Sequence, residues 1–376
     1  MRKKVFFDAL PLAATRQSGI GKVTEETIRA LCRNEYFLAK HELIGFVPLG
    51  KRNILVEKFK DLPVKIVTIP VPNKIQEIFL RTKTMPPLDL ILGRGTYLFF
   101  NYRNFPLLKS QSVTYVYDLG FIDFPQFAEK RNRKYLTKYI QRWTNRTDII
   151  VTISQYSKSR IRELLNVEAG KIEVIYCGVD SVVEPAKNIT ENILLKYGLS
   201  KNYLLFVGNI EPRKNLTGLV EGFSKTSQKI KEDYQLVIIG ADGWSNGEIY
   251  DAIELARKNG CQIIIPERFV TDKELVSIRS QASAVISTSF YEGFSIPPLE
   301  ALAQHVPIAL SNIAVHTELY EDRAVFFDPY DANDIAKGIT TILEQKDRPI
   351  ENEFVTKYSW DSSADKLAET IYKLEA

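Results

Sequence analysis

Short apolar runs alternate with segments of helical period from one end of this chain to the other, and that rhythm is its strongest constraint. Parallel strands can be joined only by crossovers, so the pattern predicts parallel sheets covered on both faces by helices. In the first half, Val5–Phe7, Leu43–Val47, Lys65–Ile69, Leu88–Leu92, Val113–Tyr117, Ile149–Ile153 and Ile172–Ile175 read as strands. Lys22–Cys32, Glu129–Thr144 and Gln155–Leu165 read as helices, the last with Ser154 as its cap. The second half is cleaner. It predicts strands at Tyr203–Val207, Gln235–Ile239, Gln262–Ile265 and Ala284–Ile286. Between them come a helix capped by Asn215, one over 247–258 ending at Asn259-Gly260, and one opened by the capping box Thr271-Asp272-Lys273-Glu274. Pro297-Pro298 marks a further helix start.

A chain of 376 residues exceeds what one core accommodates, so two α/β, doubly wound domains are expected. The pattern is interrupted over 179–201, which sets domains of 1–180 and 181–361. Periodicity alone does not assign the last helix, near 362–374, to either domain. Hydrophobic content of 45% and charged content of 26% exclude a disordered chain, and no apolar run approaches the ~18 residues of a membrane span. The basic start followed by Val5-Phe6-Phe7 imitates a signal peptide, but Asp8 breaks the run, so a strand is the better reading. Cys32, Cys177 and Cys261 lie far apart, as expected of reduced thiols in a cytoplasmic protein with no zinc site. Residues 1–185 carry 30 Lys/Arg against 18 Asp/Glu, and the remainder 20 against 28. A basic half of this kind suits anionic lipid, a phosphorylated acceptor or nucleic acid, or is simply a solvated face.

Open α/β sheets bind ligands beyond the carboxyl ends of their strands, and four segments there carry unusual residues. Gly19-Ile20-Gly21 opens a helix, where a backbone can approach a phosphate, although a plain helix start reads the same. Gly208-Asn209 leads into Glu211-Pro212-Arg213-Lys214-Asn215, which sets two cations beside a helix N-terminus. Cations are unfavourable there without an anion, a conflict that points to a phosphate. Glu292 lies on a loop with Gly293, Phe294, Ser295 and Ile296, and Glu300 lies one turn into the following helix. Two such carboxylates suit sugar hydroxyls. Tyr117-Asp118 ends a first-half strand, where Asp118 would hold a hydroxyl or cap a loop. A diphosphate site joined to hydroxyl-binding carboxylates describes a nucleotide sugar, with other nucleotides still open.

These segments resemble the retaining GT-B glycosyltransferases of family 4. The resemblance rests on FVGNIEPRKNL at 206–216 and FYEGFSIPPLEAL at 290–302, with Glu292 and Glu300 matching that family's E-x7-E. It extends through SGIGK at 18–22, YDLGFIDFP at 117–125, VTISQYSKSRI at 151–161 and KIEVIYCGVD at 171–180. It implies two Rossmann-like domains facing each other across a cleft, with the final helix (362–376) crossing back to the first. It also implies that Arg213 and Lys214 hold the donor diphosphate, Glu300 the ribose and Glu292 the transferred sugar beside the 293–295 backbone. Gly19 and Gly21 would approach phosphate or acceptor, and Phe269 and Val270 would contact the base. Two departures stand out. Many members have His-Asp where this chain has Tyr117-Asp118, and many have Arg where Asn209 stands. A phenol donates a hydrogen bond but is no base near neutral pH.

The resemblance further implies retention of configuration without a metal or other cofactor, and the chain contains no Asp-x-Asp. Protein cations would then stabilise the departing nucleoside diphosphate. The pattern leans toward mannosyltransferases, so GDP-mannose is the first donor to expect, and a glycan or lipid-linked glycan of bacterial polysaccharide or O-antigen (lipopolysaccharide) assembly the acceptor. Residues 129–146 are strongly basic, with Lys134, Lys138, Arg142 and Arg146 every four residues beside Tyr135, Tyr139 and Trp143. Such a helix suits peripheral contact with the inner face of an anionic membrane, or is a solvated, partly buried helix. Two rivals remain: a GT-B-like nucleotide-sugar epimerase and a non-catalytic sugar-nucleotide-binding protein. Without matched aromatic platforms, nucleic acid is not an expected partner.

Overall fold

The structure, a computed structural model, describes residues 2–14, 18–179, 187–199, 202–345 and 352–376. The 179–201 stretch taken as the domain boundary therefore lies partly outside the described residues. The chain forms two compact units. The first comprises Met1–Ile122, Lys130–Gly178 and Tyr358–Ala376, and the second Asp123–Glu129 and Val179–Lys357.

The first unit is built on β1 (Lys3–Asp8), β2 (His41–Pro48), β3 (Val64–Ile69), β4 (Thr96–Phe99), β5 (Gln111–Tyr115), β6 (Ile149–Thr152) and β7 (Ile172–Val174). They form one sheet of order β3-β2-β1-β4-β5-β6-β7, parallel at every pairing. The order reverses between β1 and β4. Phe6 stacks on Tyr97 at 4.6 Å across that junction, within a core that includes Phe46, Phe99 and Phe105. The last helix, Trp360–Glu375, belongs to this unit. Its buried Leu367 and Ile371 face inward, and Arg33 donates to Asp361 at 2.6 Å.

One expectation fails here. Leu88–Leu92 is a short helix, not a strand, and the strand is Thr96–Phe99. Five residues, four of them apolar, read equally well either way. Pro87 precedes the run, and the Asp89 carboxylate accepts from the N–H groups of Leu108, Lys109 and Ser110, which holds the turn.

The second unit is built on β8 (Tyr203–Val207), β9 (Gln235–Ile239), β10 (Ile263–Ile264), β11 (Ala284–Ser287), β12 (Ile308–Ser311) and β13 (Ala324–Phe327). Its order is β10-β9-β8-β11-β12-β13, again parallel throughout, with the reversal between β8 and β11. Leu204, Phe206, Leu219, Phe223, Ile238 and Ile335 are among its fully enclosed core residues. Helix ends follow the local chemistry read from the sequence. Thr271 and Glu274 complete their reciprocal capping box, and Ser154 accepts from the Ser157 N–H. The strands β12 and β13 have no counterpart in the sequence reading.

The segment Asp123–Glu129 packs on this second unit through rings. Phe124 lies 4.8 Å from Tyr291, and Phe127 stacks on Phe290 at 5.0 Å. Among the described residues, no helix is long and apolar enough to cross a membrane.

Candidate active site

The switch point of an open parallel sheet leaves a crevice where neighbouring strand-end loops diverge. In the second unit that point lies between β8 and β11, and the loops after these two strands are bound together. The Phe290 N–H donates to Arg213 O at 3.0 Å, and the Thr288 hydroxyl donates to the carbonyls of Lys214 and Asn215. A β-carbon at Gly240 would drive into the Gly208 carbonyl, so the β9 end and the β8 loop meet backbone to backbone. Asn215, in the left-handed conformation with φ 53°, caps the next helix through its side chain.

This geometry brings Arg213, Lys214 and Glu292 together. Lys214 Nζ donates to Glu292 Oε1 at 2.6 Å, and Arg213 Nη1 donates to Glu292 Oε2 at 2.6 Å. Arg213 also donates through Nε and Nη2 to Glu211 Oε1, at 3.0 and 2.8 Å. The Ser289 hydroxyl adds a 2.7 Å hydrogen bond to Glu292 Oε1. Glu211 and Glu292 are 2% and 5% exposed. The cations at the helix start are therefore balanced within the protein by two carboxylates. The local conflict is thus resolved from within the fold.

Burial pushes the Glu292 carboxyl up, but Arg213 and Lys214 more than reverse this and hold it well below the usual carboxylate range. Burial lowers Lys214, with Glu292 opposing the shift. Beneath the loop lies His316, fully buried. Its Nδ1 lies 3.0 Å from Ser311 O, and the Ser311 hydroxyl donates to Ser289 O at 2.7 Å. Burial brings His316 down to about 4, against the pull of Glu292, so the ring is neutral.

Glu300 sits apart from that cluster, on the helix Ile296–Ala303, and its Oε2 accepts from Arg279 Nη1 at 2.7 Å. Ser295 precedes this helix with φ 75° and ψ 80°, and its carbonyl accepts the Tyr320 hydroxyl at 2.6 Å. Pro297 and Pro298 carry no N–H, so donors at this helix start come mainly from the buried 293–295 loop and from Ile296. Gly208 is half-buried and Asn209 exposed. Phe269 is 76% exposed, and its carbonyl accepts from the Tyr197 hydroxyl, with half-buried Val270 beside it.

The remaining candidates belong to the first unit. Gly19 is exposed at its helix start, but the Gly21 N–H is taken by the Ser18 cap at 3.1 Å. Tyr117 is buried and donates its hydroxyl to Phe100 O at 2.9 Å. Asp118 Oδ1 accepts from the Gly120 N–H at 2.8 Å, the loop-cap geometry. Sequence reasoning missed Glu211, Ser289, Arg279 and His316. Only Glu211 had a local signal, an opposite charge two residues from Arg213.

Residues 191–359 match the family described as glycosyl transferases group 1, and residues 18–182 match glycosyltransferase family 4. The chain belongs to these GT-B glycosyltransferases. It is 29% identical over 243 residues to the O-antigen chain mannosyltransferase B of Escherichia coli, covering 64% of this chain and 63% of that protein. The chain thus spans under two thirds of that relative's length. It is 27% identical over 264 residues to the O-antigen chain mannosyltransferase RfbU of Salmonella typhimurium, covering 69% of each. The fold is shared with HepE of Anabaena, solved with UDP and glucose, at a TM-score of 0.71 and 14% identity over 99% of this chain and 100% of that one.

Proposed function

We propose that this glycosyltransferase moves a hexose, mannose in the first instance, from a nucleoside-diphosphate sugar to a glycan or lipid-linked glycan of bacterial polysaccharide or O-antigen assembly. The observation that carries this reading is the Arg213–Lys214–Glu292 cluster at the β8/β11 switch point. In it, Arg213 and Lys214 hold the diphosphate, exchanging part of their bonding to Glu292 for phosphate oxygens. Glu292 and the 293–295 backbone hold the sugar, Glu300 the ribose, and the exposed Phe269 ring, with Val270, flanks the base. The names of the two mannosyltransferase relatives support the sugar.

As the glycosidic bond breaks, negative charge grows on the departing diphosphate, where the two cations already stand. No divalent ion or other cofactor takes part in this scheme, and the anomeric configuration is retained. Within the first unit, Gly19 offers the acceptor an exposed helix start, whereas Tyr117 and Asp118 serve as supports of their own loops, because their polar atoms are engaged as described.

The enzyme works in the cytoplasm, at the inner face of the membrane. The helix Lys130–Arg146 supports this with exposed Lys130, Arg131, Lys134 and Lys138. The basic stripe is shorter than its spacing suggested, because Arg142 is half-buried and donates to Leu80 O at 3.1 Å.

Thermal shifts across a panel of nucleotide sugars test the donor. At 100 times its Kd a ligand stabilises by about 2.7 kcal/mol. GDP-mannose should raise the melting temperature and be consumed only with acceptor present, with NMR of the product reporting the anomer. Stabilisation by no nucleotide sugar would refute the reading, and an isomerised donor formed without acceptor would favour the epimerase.

A further inference from the structure

Arg279 is a buried cation outside the diphosphate cluster, and its environment is built around one task. It lies on the helix Asp272–Ser280, 6% exposed, and Nη1 reaches Glu300 Oε2 at 2.7 Å. Its Nε donates to Gln304 Oε1 at 2.6 Å, and Gln304 Nε2 donates to Val276 O at 3.1 Å. Gln304 returns the guanidinium to the backbone of Arg279's own helix, so the fork is fixed in direction before any ligand arrives. Removing a guanidinium from water is costly unless geometry and partners are good, and here both edges are engaged. The fixed object is Glu300, whose side chain is 14% exposed.

A carboxylate takes a vicinal diol by accepting one hydroxyl on each oxygen, which demands a set carboxylate plane. Arg279 meets that demand by anchoring Oε2. We propose that Arg279 is a positioning residue that aims Glu300 at the ribose diol and thereby makes the site select ribonucleotides over deoxyribonucleotides. This rests on the ribose role given to Glu300 above. A lysine cannot reproduce it, since one ammonium cannot hold the Glu300 and Gln304 directions in a plane.

The test compares affinities for GDP and 2′,3′-dideoxy-GDP, and for UDP and its dideoxy analogue, in wild type, Glu300→Gln, Arg279→Gln and Arg279→Lys. A site built to bond a hydroxyl rejects the analogue lacking it, here by roughly tenfold or more. Glu300→Gln and Arg279→Gln should each bring that ratio close to one, with dideoxynucleotide affinity little changed, and Arg279→Lys should lose most of it. The ratio is insensitive to general destabilisation, since both nucleotides share base and diphosphate. A wild-type ratio kept by Glu300→Gln would remove the ribose role of Glu300 and this inference with it. A ratio lost in Glu300→Gln but kept in both Arg279 variants would overturn the role of Arg279 alone. If Arg279→Gln does not fold, Arg279→Lys decides.

Discussion

Lys214 and Glu292 form a 2.6 Å ion pair whose side chains are 12% and 7% exposed, on loops that leave two adjacent central strands. Desolvation makes such a pair costly to break and its cation costly to leave alone. The same ammonium is therefore a structural partner and, in the function proposed above, also the charge offered to a departing diphosphate.

Replacing Lys214 by alanine should lower kcat/KM at least tenfold, about 1.4 kcal/mol of lost transition-state stabilisation. Steady-state kinetics with saturating acceptor measure it, and near-wild-type turnover would take Lys214 out of the mechanism. Activity should also survive EDTA, since in the proposed scheme the cations of the chain carry the charge. A strict divalent-ion requirement would contradict the scheme.

Glu292→Gln should separate binding from turnover. Without the carboxylate, Arg213 and Lys214 are more available to a diphosphate, so nucleoside-diphosphate affinity should hold or rise while kcat falls. The free protein should lose about 3 kcal/mol, because a buried lysine loses its ionic partner. Calorimetric titration and denaturant melts read the two effects. Weakened diphosphate binding together with unchanged stability would count against the arrangement.

Acid should destabilise the second unit in a predictable interval. The unfolded chain protonates His316 near 6.5, whereas the folded chain resists until about 4, so stability falls as pH drops between those values. Glu292, held below its ordinary 4.5, contributes stability above that value and loses it as pH falls further, so both groups slope the same way. Melting temperature against pH should flatten between 6.5 and 4.5 in His316→Asn. An unchanged slope would assign the acid sensitivity elsewhere.

Ser295→Gly should stabilise the protein by about 0.5 kcal/mol. Serine at φ 75° is strained, and its side chain makes no capping hydrogen bond that glycine would forfeit. A raised melting temperature checks this, and a lowered one would show that the hydroxyl matters in another way.

Reversing the charge at Lys134 and Lys138 together should reduce co-sedimentation with anionic vesicles at low salt and leave the melting temperature within a degree or so, as both side chains are exposed. Unchanged sedimentation would end the case for membrane contact through this helix.

Local chemistry was readable from the chain; chemistry made by packing was not. Tyr203–Val207 and the Thr271–Glu274 capping box declare themselves within a few residues, through β-forming side chains and a reciprocal cap. Arg213, Lys214 and Glu292 stood out because glycines and prolines around them punctuate strand ends. Leu88–Leu92 misled because its fate is set by Asp89 bonding to residues some twenty positions away. Arg279 and His316 gave no signal, since an arginine or a histidine within a helix means nothing until folding supplies Glu300 or Ser311.

The ring contacts of Phe124 and Phe127 bear on any attempt to prepare the second unit alone. A fragment beginning at residue 179 would omit both rings and uncover Tyr291 and Phe290, the residues immediately before Glu292. Such a fragment would be prone to self-association, and its loop would be loosened at the very place where the proposed function seats the sugar. Excision of this half succeeds only if residues 123–129 are restored, for example as an added peptide.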